Sequence, residues 1–110
     1  MLFNIHGEQT RASVNVSTAG NNTVIASIPN GEIFIHELIG EPTAAVTLNI
    51  YCGSRLVGTF PLVANQGLTE NDVVGNSGEP RFKCFQNEAF ILNLSSAVPF
   101  QGSILYSYKT

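Results

Sequence analysis

Phe90-Ile91-Leu92-Asn93-Leu94-Ser95-Ser96-Ala97-Val98-Pro99-Phe100-Gln101-Gly102-Ser103-Ile104-Leu105-Tyr106-Ser107-Tyr108 is the stretch that decides the fold class. Apolar and polar residues alternate in it at the period of an extended strand, not at the period of a helix. Phe90, Leu92 and Leu94 share one face against Ile91, Asn93 and Ser95. Ile104, Tyr106 and Tyr108 share another, against Ser103, Leu105 and Ser107. Pro99 cannot donate to a ladder and Gly102 relaxes one, so the stretch reads as two strands joined by a short connection whose bend falls between Ser96 and Gly102.

The same punctuation continues upstream. Ala12 to Thr18 alternates with Ala12, Val14 and Val16 inward, and Gly20-Asn21-Asn22 reads as a turn. Val24 to Ile28 is a short strand closed by Pro29-Asn30-Gly31. Glu32 to Gly40 is a continuous apolar run whose isoleucines and flanking turn residues favour strand over helix. Ala44 to Tyr51 sets Val46, Leu48 and Ile50 against Thr47, Asn49 and Tyr51. Cys52-Gly53-Ser54-Arg55 is then a hairpin turn into Leu56 to Val63. From Ala64 to Pro80 the pattern lapses into a long loop with at most one short strand around Leu68 to Val74. Arg81 to Phe85 and the turn Gln86-Asn87-Glu88 lead back to the opening stretch. The sum predicts an all-β chain: a single antiparallel β-sandwich of jelly-roll type, about eight strands, and no substantial helix. Residues 1–11 read as an N-terminal arm and residues 12–110 as the sandwich domain.

A chain of 110 residues buries roughly two-thirds of its unfolded surface, enough for a core without metal or disulfide support. Apolar residues make up 44% and charged residues only 12%, about half the usual charged share. Neutral Asn, Ser and Thr take the place of charge, which suits a protein packed against other proteins. The net charge of −3 comes from eight acids and five bases, and Arg11, Arg55, Arg81, Lys83 and Lys109 are dispersed. Nucleic acid and anionic membranes are therefore not expected partners. No basic segment with an apolar core opens the chain and no run reaches the length of a membrane span. Cys52 and Cys84 sit in no CxxC or Cys/His cluster. They could pair across two strands, but with no oxidising compartment implied they are expected to be free thiols.

Chemistry-bearing constellations are sparse. His6 and His36 have no second ligand at zinc spacing, and Glu70-Asn71-Asp72 lacks the ordered spacing of a calcium loop. His36 and Glu37 are adjacent on an expected strand and face opposite sides, so they do not form a base-and-orienter pair. No GxSxG and no phosphate-cradling loop occurs. The expectation is a protein that is not an enzyme and takes no cofactor.

Three pieces together carry a resemblance: Leu48-Asn49-Ile50-Tyr51-Cys52-Gly53-Ser54, then Phe60-Pro61-Leu62-Val63-Ala64-Asn65-Gln66-Gly67, then Asn93 to Val98 with Gly102 to Tyr106. Over Thr23 to Tyr108 the chain resembles the small β-sandwich virion proteins of tailed bacteriophages. The resemblance implies a capsid decoration (cement) protein on the virion exterior, made in the host cytoplasm. Its partners would be the major capsid protein and itself, as a homotrimer. The arm residues Leu2, Phe3 and Ile5 and the loop residues Leu68, Val73 and Val74 are the candidate interface. Alternatives are a tail, spike or adaptor module, or a carbohydrate-binding sandwich using Tyr51, Tyr106 and Tyr108 as a platform.

Overall fold

Phe90, Leu92 and Leu94 are at most 1% exposed in the computed structural model, so the alternation read from the sequence is the alternation that is buried. The structure describes residues 8–71 and 80–110, and all regular structure among them is strand. The strands are β1 (Thr10–Val16), β2 (Gly20–Ile25), β3 (Glu32–Pro42), β4 (Val46–Cys52), β5 (Arg55–Leu62), β6 (Leu68–Asn71), β7 (Phe82–Cys84), β8 (Phe90–Leu94) and β9 (Phe100–Lys109).

They form two antiparallel sheets. One has the order β1-β9-β3, with β6 and β7 both pairing with β3; the other has the order β2-β8-β4-β5. β8 and β9 are the two strands expected from the sequence, joined by a short connection, but they do not pair with each other. β8 lies between β2 and β4, and β9 lies between β1 and β3, so the chain changes sheets at Ser95–Pro99. Alternation specifies which face of each strand is inside, not which strand lies beside it. Two consecutive strands with one apolar face each are equally content as neighbours or as opposite walls of one core.

The bend also moves. Gly102 lies inside β9, opposite Gly40 of β3, where a Cβ would collide with the carbonyl of Ile39. Its role is close approach of two backbones rather than relaxation of a turn. Gly20-Asn21-Asn22 is likewise strand: these residues pair with Leu94, Asn93 and Leu92 of β8. Asn93 Nδ2 donates to Asn21 Oδ1 at 2.8 Å across the pair. Asparagine stands here for a cross-strand amide ladder, not a turn.

The apolar run of β3 is explained by a bulge. Register with β9 shifts between Ile35 and Glu37, leaving His36 as the extra residue. Ile33 and Ile35 point inward before it, and Leu38 points inward after it, all fully buried. Phe34 pairs with Ser107 and Lys83 and is 3% exposed yet stands outside the central cluster. The run is thus two buried faces joined by a change of parity. The core itself joins Ile33, Ile35, Leu38, Phe82 and Ile104 of one sheet to Leu48, Ile50, Phe90, Leu92 and Leu94 of the other. Fully burying such a side chain contributes about 1.5–3 kcal/mol.

Two turns match their sequence reading closely. Cys52 pairs with Arg55 around Gly53-Ser54, with Gly53 at φ 60°. Asn30 sits at φ 58° in the turn closed by the Gly31 N–H donating to the Ile28 carbonyl. β1 starts two residues before the arm boundary expected from the sequence, so Arg11 belongs to the sandwich.

Candidate functional site

The candidate interface expected from the sequence is not assembled by the described residues. Leu2, Phe3, Ile5, Val73 and Val74 lie outside them. Leu68, on β6 opposite Gly40, is 7% exposed and packs with the core. The loop reading gave β6 but not its inward face, because Leu68 stands alone without a period on either side.

The tyrosine platform is also separated. Tyr51 lies on β4 of one sheet, while Tyr106 and Tyr108 lie on β9 of the other. Tyr106 packs against the core and Tyr108 is 53% exposed at the strand end. Of the polar pair His36–Glu37, His36 is buried and its Nε2 shares a 2.8 Å hydrogen bond with Ser107 Oγ. The bulge removes the alternation expected between them, so Glu37 lies on the same outer face as His36, where it accepts from Arg11 Nη2 at 2.8 Å. No group of three or more metal-ligating side chains converges among the described residues.

What the fold does assemble is one end of the sandwich. Cys52 closes β4 and Cys84 closes β7, on opposite sheets, and they form a disulfide with Cα atoms 5.0 Å apart. The expectation of free thiols is overturned. Both residues end strands at inward positions, and the β4–β5 and β7–β8 turns stack at the same end of the molecule. That stacking is a property of the sheet order, which the linear sequence does not display.

Around the disulfide, Arg55 Nε donates to Glu88 Oε2 at 2.9 Å and its Nη2 donates to Glu88 Oε1 at 2.7 Å. This two-pronged geometry ties β5 to the turn before β8. Arg55 Nη2 also donates to the Lys83 carbonyl at 3.1 Å, and the Phe85 N–H donates to Glu88 Oε1 at 2.7 Å. The Arg55 hydrogen bond, followed by that of Phe85, holds the Glu88 carboxyl below its ordinary range. Glu88 in turn raises Arg55. The Phe85 ring, 50% exposed, lies under the Arg55 guanidinium at 4.0 Å. Gly53 donates to the Ala89 carbonyl at 2.8 Å, closing the two turns onto each other.

This end is built to hold two sheets together. Its ionisable groups are spent on each other, with Lys83 Nζ 3.5 Å from Glu32 alongside. The residues that sequence reasoning missed are Arg55 and Glu88. Their signal was the pair of turns, each following a cysteine and carrying one charge of opposite sign, Arg55 after Cys52 and Glu88 after Cys84.

No protein-family model matches this chain, and no curated protein matches it. Among solved structures, one from Bacillus endospore appendages, a family of disulfide-linked pili, is similar in fold with a TM-score of 0.52. The likeness covers 98% of this chain and 94% of that chain at 13% sequence identity. At that identity the comparison bears on the fold alone.

Proposed function

We propose that this protein is a structural subunit that works by packing against other protein subunits in a repetitive assembly. The observation that carries this reading is where the charge goes. Arg11, Arg55, Arg81 and Lys83, four of the five cations, each meet a carboxylate of the same chain. The sheet faces and edges left over are mostly neutral and offer little repulsion to a second protein surface. Apolar side chains such as Leu56 and Val63, 55% and 63% exposed, add to that surface without forming a single pocket.

The specific form we favour is decoration of a phage capsid lattice, as the sequence resemblance implies. A jelly-roll arrangement is compatible with the strand orders. Binding only the assembled lattice would stabilise that lattice by mass action. The solved structure from disulfide-linked endospore pili is similar to this chain in fold alone. Both cysteines of this chain are joined to each other, so its assembly would be non-covalent unless that bond opens. A disulfide of this kind persists on the outside of a released particle, where surroundings oxidise.

Quantitative mass spectrometry of particles and fibres purified from cells that make the protein tests the reading. Incorporation at hundreds of copies per capsid supports decoration. A dozen or fewer points to a tail or vertex component. Recovery solely as free protein, with none in any particle or fibre, overturns the structural role.

A further inference from the structure

An edge strand offers a row of N–H and C=O groups to any passing chain, and natural sheets blunt such edges with short strands, prolines, bulges or lysines. The edges here differ in how they are blunted. β6 and β7, at one end of their sheet, are four and three residues long. β5 carries Pro61 and a register shift beside Ile50. β2 opens on Gly20 at φ 88° and shifts register between Thr23 and Ile25. Among the described residues β1 has none of these devices, and its single charge, Arg11, is bound to Glu37 of the same chain. Its seven residues run in unbroken register with β9, with neither proline nor lysine among them.

We propose that β1 is the surface through which two copies of this chain join, edge to edge and antiparallel, about a two-fold axis at Ser13. The proposal deepens the assembly reading, since the pair would be the unit that packs into the larger structure. The pairing itself stands on β1.

Register identifies the partner. A two-fold axis normal to the sheet keeps inward residues opposite inward residues, so the axis must pass through a residue. Centred on Ser13, the pairing uses the whole strand. Thr10 meets Val16, Arg11 meets Asn15, Ala12 meets Val14, and Ser13 meets its own copy. On the inner face the partly buried Ala12 gains Val14 as its apolar partner, while Val16 meets Thr10. Arg11, already bound to Glu37 in its own chain, faces a neutral amide. Centring on Arg11 would oppose two guanidinium groups, which is destabilising. Centring on Ala12 or Val14 leaves strand ends unpaired. β1 is complementary to a second β1 in its longest register.

The two-fold pairing differs from the homotrimer implied by the sequence resemblance, and sedimentation equilibrium of the purified full-length chain separates them. The wild type should be a dimer. Asn15→Lys places a lysine opposite Arg11 twice and should raise the dimer dissociation constant about tenfold. Asn15→Asp places a carboxylate there and should lower it by a similar factor. Circular dichroism checks that both exposed-site variants keep the fold. Ser13→Cys should form a covalent dimer under mild oxidation, while Asn21→Cys on β2 should stay uncrosslinked. A wild type that is monomeric at all concentrations or trimeric overturns the proposal. So does a dimer whose affinity ignores both charge changes, because its contact lies elsewhere. Failure of the particle experiment above, with the dimer intact, would overturn the assembly reading instead.

Discussion

Gly40 of β3 stands directly opposite Gly102 of β9, and the two backbones approach so closely that a side chain on Gly102 would meet the carbonyl of Ile39 and the Cα of Gly40. A Cβ on Gly40 would in turn lie 2.6 Å from the Phe100 ring. This glycine pair lets the two longest strands cross tightly enough for Phe100 to fill the end of the core.

Gly102→Ala should therefore be destabilising out of proportion to one methyl group. Overpacking of this kind costs roughly 1–3 kcal/mol, a fall in Tm of about 5–15 °C for a domain this size. Gly67→Ala is the control, since a Cβ there meets nothing within 4 Å. Equal melting temperatures for the two variants would show that β3 and β9 are not pressed together at this point.

The disulfide makes a second prediction. Cys52 and Cys84 are 32 residues apart in sequence, and closing a loop of that length removes roughly 3–4 kcal/mol of unfolded-chain entropy. The intact mass before reduction should be lower than after it by two hydrogens. Reduction, or the double change Cys52→Ala with Cys84→Ala, should lower stability by up to that amount while leaving the circular dichroism spectrum of a β protein. An unchanged melting temperature on reduction would remove the disulfide from the account of stability.

Glu88 gives stability a dependence on pH. Its carboxyl lies below the ordinary value in the folded protein because Arg55 and the Phe85 N–H bind the ionised form. A group with a lowered folded pKa stabilises above its unfolded value and loses that contribution as pH falls through the folded one. The pair is partly exposed, so its worth is about 1 kcal/mol or less. Glu88→Gln should cost that much in urea unfolding at pH 7, and the gap to wild type should close in acid below the ordinary glutamate range. A gap that persists undiminished at pH 2 would mean that the loss is one of packing rather than charge.

How far the sequence reaches can be judged residue by residue. The inward faces of β4, β8 and β9 were legible because Leu48, Ile50, Leu92, Leu94 and Ile104 alternate without interruption. The Gly53-Ser54 hairpin was legible because its two strands are neighbours in both sequence and space. The placement of β8 and β9 in different sheets was not, since alternation carries no record of a strand's neighbour. The Cys52–Cys84 bond and the Arg55–Glu88 pair were hidden for the same reason: each joins turns that only the sheet order brings together. The inward face of Leu68 was not legible, because one leucine in a polar loop has no period to show where it points.

The bulge in β3 makes the last prediction. By inserting His36 as an extra residue it brings a histidine ring and the Ser107 hydroxyl together at 2.8 Å, with His36 3% exposed and Ser107 fully buried. A hydroxyl with no accessible surface is stabilising only while its hydrogen bond is made. Removing one member of a buried pair costs more than the bond is worth, because the other is left without it: about 1–3 kcal/mol. Ser107→Ala should show that loss in urea unfolding with the slope unchanged. Ser13→Ala, at an exposed site on β1, should stay within about 0.5 kcal/mol of wild type. If Ser107→Ala does no more harm than Ser13→Ala, the bulge is held by backbone pairing alone and the His36–Ser107 bond contributes nothing to it.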